Sequence, residues 1–123
     1  MKKNKKIPQQ GQIWLVKFKK AKETPKTFRP CLVISGNIQN EWNDLIAVVP
    51  MTTDNVDKVE PFEVFVQNTA ETGLKEPSKI QLIYPMTIDK ELRLVGEKLG
   101  VANQKIMEQA KKAWKIAFNV EEW

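Results

Sequence analysis

The sequence predicts a mainly β protein with helices: a small antiparallel barrel or sheet closed by a C-terminal α-helix. Three observations carry this. Short runs of β-branched and aromatic residues recur between turn-forming clusters from residue 13 to residue 99. Near Asn103 the apolar period changes from two to the 3.6 of a helix. The chain has 123 residues, enough for one domain with one ordinary core. Many short strands followed by one helix fit a sheet whose open face the helix covers.

The elements follow in order. Residues 13–18, Ile-Trp-Leu-Val-Lys-Phe, come after Gly11 and read as a first strand. Residues 19–28 form a polar loop with Pro25, too charged for a core. Residues 30–35 form a second strand whose unbroken apolar run predicts burial on both faces. Residues 36–44 read as a loop in which Trp42 covers the sheet, and residues 45–51 as a third strand. A turn spans 52–60. Residues 62–66 alternate with period two, the pattern of a half-exposed strand. A loop at 68–77 leads to a strand at 79–84, a short helical turn at 87–92 and a last short strand at 94–99. Asn103 then caps a helix in which Ile106, Met107, Ala110, Ala113, Trp114 and Ala117 share one face. Residues 1–10 read as a basic, flexible N-terminal tail and residues 11–120 as the domain.

Composition bounds the chemistry. With 41% hydrophobic and 28% charged residues the chain reads as globular and soluble. No apolar run approaches the ~20 residues that span a bilayer, and no secretory signal is visible, so a cytoplasmic protein with no membrane partner is expected. One cysteine excludes an intramolecular disulfide, and Cys31 inside an apolar strand reads as a small hydrophobe. The chain has no histidine. That removes Ser-His-Asp and Cys-His catalysis and a two-histidine acid–base ribonuclease. It also leaves no convincing metal set, so no metal and no cofactor are expected. Asp54 and Asp57 read as solvated turn acids.

The net charge is +5, and its distribution is uneven. Residues 1–29 hold ten of the twenty basic residues against one acid, Glu23. Such a cluster favours phosphate backbones through counterion release; a solvated tail and loop is the plainer reading. Two polar residues stand out from the strands. Arg29 begins the second and Thr52 ends the third. If these strands pair antiparallel, a guanidinium and a hydroxyl share one end of the sheet. An arginine offers a planar fork of donors and keeps its charge, so the pair is a candidate phosphate receptor. The competing reading makes Arg29 a strand end and Thr52 the start of a turn.

The order Gly11-Gln12-Ile13-Trp14-Leu15-Val16, then Arg29-Pro30-Cys31-Leu32-Val33-Ile34-Ser35, then Ala47-Val48-Val49-Pro50-Met51-Thr52-Thr53, resembles the MazF/PemK family of toxin endoribonucleases. The likeness continues through Thr72-Gly73-Leu74-Lys75-Glu76-Pro77-Ser78 and Met86-Thr87-Ile88-Asp89-Lys90, and covers residues 11–118. It implies an SH3-like barrel of the CcdB/PemK kind, and a homodimer. It implies a metal-independent enzyme that cuts single-stranded RNA at short sequences, leaving a 2′,3′-cyclic phosphate and a 5′-hydroxyl. It also implies a toxin of a type II toxin–antitoxin system, held inactive by a cognate acidic antitoxin.

The family's catalytic arginine falls on Arg29 and its catalytic threonine on Thr52, with Thr53 as the neighbouring hydroxyl. RNA contacts are expected from Thr53, Lys19, Lys20, Lys22, Lys26, Lys79, Gln81 and Tyr84, with Tyr84 as a stacking surface. The chain departs from the family pattern where many relatives carry an acid and an arginine, here Ile83 and Met86. It departs again at Gln81, where some carry an arginine. Two other readings stay open: a catalytically weak or inactive RNA- or antitoxin-binding module of the same fold, and a CcdB-like toxin aimed at gyrase.

Overall fold

A computed structural model of the chain describes residues 6–19, 22 and 27–123. Three antiparallel neighbours form where the apolar runs predicted them: β1 (Gln12–Lys17), β2 (Phe28–Val33) and β3 (Leu45–Thr52). The run in β2 is buried on both faces, as its composition requires. Leu32 packs into one apolar cluster with Ile13, Val49 and Met51, while Cys31 and Val33 pack into a second with Trp14, Val16 and Val48.

Between β2 and β3 the expected loop is a helix, α1 (Asn37–Trp42). No six-residue segment shows a helical period, so tertiary contacts hold it. Asn40 is fully buried, its side chain bonded to Ser35. The ammonium of the fully buried Lys90 donates to the carbonyls of Asn40 (2.6 Å) and Glu41 (3.1 Å), at the helix's C-terminal end. Trp42 does not cover the sheet as expected; it is 75% exposed.

Strand β3 is the spine of the sheet. Its first half pairs with β6 (Met86–Asp89) and its last two residues with β5 (Ser78–Gln81). Pro50, which has no N–H to donate, lies in the gap between the two partners. The chain must cross that gap, so the strand expected at 79–84 stops at Gln81, and a turn closes with Tyr84 N–H donating to Gln81 O (3.1 Å). The helical turn expected at 87–92 begins later for the same reason: Thr87, Ile88 and Asp89 are drawn into the ladder with β3. Only Lys90–Arg93 forms a helix, α2, capped by the Asp89 carboxylate.

β4 (Glu63–Val66) pairs with β5, and β7 (Leu94–Val101) pairs with β1 across a bulge. The path β4-β5-β3-β2-β1-β7 is open: no ladder joins β4 to β7 among the described residues. The closed barrel expected from sequence therefore stands as a mainly antiparallel sheet with helices. One backbone bond, Val101 N–H to Glu71 O (2.8 Å), ties the β4–β5 connection to the far edge. Gly73 has φ +69, and an added Cβ there would meet the Leu99 carbonyl at 1.9 Å, so only glycine fits this crossing.

The C-terminal helix α3 (Gln104–Phe118) is where the period placed it. The Asn103 side chain accepts from Ile106 N–H (2.9 Å). Ala110 and Ala113 are buried against the sheet, with Ile106, Met107 and Trp114 packed beside them. Residues 6–10 of the expected tail are bonded to the rest: Lys6 N–H donates to Glu91 Oε2 (2.9 Å) and Gln10 N–H to Asn37 Oδ1 (2.6 Å). The tail residues 1–5 lie outside the described residues.

Candidate active site

Cys31 faces Pro50 at the last pair of the β2–β3 ladder, and continuing that register by two residues puts Arg29 opposite Thr52. This is the shared sheet end expected from the sequence. One terminal nitrogen of Arg29 donates to the Met51 carbonyl (3.2 Å) and to the Gln81 side-chain oxygen (3.0 Å). Its Nε is buried with no hydrogen-bond partner among the described residues. An unsatisfied buried donor of this kind costs ~1–3 kcal/mol. Thr52 is 7% exposed, and its Oγ1 accepts from Asp54 N–H (3.1 Å).

These groups line a cleft of about 980 Å³. Gln81 and Lys79 enter it from β5, and Tyr84, Ile83 and Pro85 from the turn that crosses the β3 gap. Tyr84 is 57% exposed. Of the other expected RNA contacts, Thr53 is exposed and does not line the cleft. Lys19 lines a neighbouring depression of about 420 Å³ with Arg93, and that depression shares Phe18 and Met86 with the cleft. Lys22 is exposed, and Lys20 and Lys26 lie outside the described residues.

Lys79 is not a solvated cation. Its ammonium lies 2.9 Å from Glu63 Oε1 and donates to the Lys58 carbonyl (2.9 Å). Both side chains of the ion pair are 8% exposed. Glu63 Oε1 also accepts from Glu60 N–H (3.0 Å). Glu63 was not legible as a site residue. The alternation of β4 puts Val64 and Val66 in the core and Glu63 on the other face, but nothing local says which strand it will face. Arg93 was missed for the same reason.

Among the described residues, Arg29 and Lys79 line the cleft with Asp54, Glu60 and Glu63, two cations to three acids. In sequence, the basic residues are concentrated before Arg29. Cys31 is fully buried under the rung; burial pushes its thiol up to about 12, with the Arg29 charge pulling the other way. A thiol so held is not a nucleophile at neutral pH. Among the described residues no group of three or more histidine, cysteine or acidic side chains is placed to hold a metal ion. No described helix is long and apolar enough to cross a membrane.

The sequence profile of the PemK-like, MazF-like toxins of type II toxin–antitoxin systems matches residues 9–118. Among solved structures, the chain is similar to a mycobacterial endoribonuclease in complex with its cognate antitoxin (TM-score 0.74, 19% identity, 92% of this chain and 96% of that one). It is similar to the Mycobacterium tuberculosis toxin MazF-mt6 (TM-score 0.72, 21% identity, 88% and 96%). It is also similar to a chain of the MazE-MazF complex from Deinococcus radiodurans (TM-score 0.69, 20% identity, 93% and 97%). No protein of curated function matches the sequence.

Proposed function

The chain belongs to the PemK-like, MazF-like toxin family of type II toxin–antitoxin systems, and from that membership we propose that it is a metal-independent, sequence-selective endoribonuclease acting on single-stranded RNA. The observation that carries the reading is the Arg29–Thr52 rung: a guanidinium with an unused, buried Nε beside a small hydroxyl at the floor of an open cleft. Attack by the ribose 2′-hydroxyl on the adjacent phosphorus needs no protein nucleophile. It needs the 2′-oxygen in line and the developing negative charge stabilised. Arg29 grips the non-bridging oxygens, and Met51 O and Gln81 hold its far nitrogen so that the fork does not swing. The Thr52 hydroxyl orients the phosphate, and Tyr84 stacks on a base splayed from the strand. The products are a 2′,3′-cyclic phosphate and a 5′-hydroxyl.

The solved relatives bound to antitoxins support an antitoxin partner. The rest of the proposal is a cytoplasmic homodimer, built as an SH3-like barrel, silenced by an acidic antitoxin that covers the lysine-rich segment. The apolar Ile83 at the cleft favours one competitor, an RNA- or antitoxin-binding module without turnover. A gyrase-directed toxin has no use for a phosphate receptor, and the rung argues against it.

Incubating the purified protein with a long single-stranded RNA in EDTA and mapping the ends decides among these. The expected outcome is cleavage at a short recurring sequence with cyclic-phosphate ends. Arg29→Ala abolishes it in a protein that melts normally. Arg29→Lys falls by ~100-fold or more, since one ammonium does not reproduce the fixed donor geometry of a guanidinium anchored by Met51 and Gln81. Loss of activity in EDTA, restored by magnesium, overturns the mechanism; tight RNA binding with no cutting selects the binding module.

A further inference from the structure

Cleavage by the 2′-hydroxyl needs an acceptor for its proton, and Ile83 at the cleft offers none. The structure supplies a carboxylate from another strand. In the β4–β5 ladder Glu63 is directly opposite Gln81, and Gln81 holds Arg29. In the β3–β5 ladder Thr52 is directly opposite Lys79, and Lys79 holds Glu63. Directly paired side chains of adjacent strands lie about 5 Å apart at Cβ. Arg29, Thr52, Gln81, Lys79 and Glu63 thus form one connected set across β2, β3, β5 and β4, and all five line the cleft.

Within that set we propose that Glu63 is the general base of the reaction. Its Oε1 is occupied by Lys79 and by the Glu60 N–H. Its Oε2 has no hydrogen-bond partner among the described residues. The carboxylate is therefore held through one oxygen, on a residue that lines the cleft. Asp54 and Glu60, the other acids at the cleft, sit on the 52–60 turn, and neither shares a ladder with Gln81 or Lys79.

In the reaction the O2′–H bond breaks and its proton passes to Glu63 Oε2. The O2′–P bond forms and the P–O5′ bond breaks. The departing O5′ takes a proton from solvent water, and the resulting hydroxide removes the proton from Glu63, restoring the starting enzyme.

The inference rests on the ribonuclease reading, and the test separates the two. Single-turnover cleavage of an RNA mapped with the unaltered protein is followed against pH for Glu63→Gln, which keeps an oxygen for Lys79 and for the Glu60 N–H. The rate of the unaltered protein falls toward acid pH, as for any reaction that needs an unprotonated base. The charged groups that line the cleft with Glu63 are Lys79 from β5, Glu60 and Asp54 from the turn, and Arg29 from β2. In Glu63→Gln the rate drops by ~100-fold or more and loses that acid-side fall. Affinity for RNA carrying a 2′-O-methyl group at the cut site stays unchanged, which a general loss of structure does not allow. Should the unpaired Lys79 unfold the single variant, Glu63→Gln with Lys79→Gln removes both charges, and the same rate drop and flattened profile are expected. A folded variant that cuts at the normal rate, or keeps the acid-side fall, overturns the assignment of Glu63 alone. An unaltered protein that binds RNA and never cuts it overturns the ribonuclease reading and the base together.

Discussion

Arg29 and Cys31 stand two residues apart on β2 and face opposite fates. Arg29 reaches the cleft with one donor unused, while Cys31 points into the apolar cluster around Trp14 and Val48. The arginine was legible because a charge at the start of an apolar strand has no packing explanation. The cysteine was legible because an uninterrupted apolar run buries both faces. Burial leaves a measurable mark on Cys31. Its thiol is pushed from 9.0 up to about 12, first by desolvation, with Arg29 opposing. The unfolded chain therefore releases this proton at lower pH than the folded one. The contribution is fully present below the unfolded value and is lost as pH rises from there toward the folded value, at about 1.4 kcal/mol per pH unit. Urea unfolding of the protein and of Cys31→Ala at pH 8, 9 and 10 checks this. The two stabilities converge as pH rises; a constant difference shows that Cys31 does not titrate on unfolding.

At the scale of elements, period and capping carried the most information. α3 begins and buries the face predicted because a fifteen-residue helix shows its period fully and Asn103 supplies the orphan N–H acceptor. Asn103→Ala is expected to lower stability by ~1 kcal/mol, read from thermal or urea unfolding, while Asn103→Ser is nearly neutral. A loss near zero for the alanine variant means the cap is replaced by water. Shorter elements escaped. α1 has no local signal; it exists because Lys90, fifty positions later, bonds its last carbonyls. The strand expected at 79–84 ends early because β5 and β6 meet β3 in different registers, a fact of pairing rather than of composition. That early end serves the site, since it swings Ile83, Tyr84 and Pro85 over the cleft.

At the scale of the whole molecule, lysines crowd the sequence before Arg29, while the described residues of the cleft include three acids and two cations. RNA is expected to be gathered by the lysine-rich segment. Neutralising Lys19, Lys20, Lys22 and Lys26 together should weaken RNA binding and flatten its salt dependence, by about 0.7 of log–log slope for each phosphate no longer neutralised. Cleavage at saturating RNA should fall much less. An unchanged slope makes this loop a solvated turn and moves the footprint to Arg93 or to the lysines of α3. What the sequence determined by itself was whatever is written in neighbouring residues: a β protein closed by a helix, no histidine chemistry, a buried cysteine, and Arg29 and Thr52 as polar exceptions at strand ends. Local period and side-chain type set those features, and both are read along the chain. The tertiary structure alone decided what depends on which strand lies beside which: the open sheet path, the cancelled charge of Lys79, the arrival of Glu63 opposite Gln81, and the grip of Gln81 on Arg29. Strand pairing brings together residues tens of positions apart, and no local pattern specifies a partner that far away.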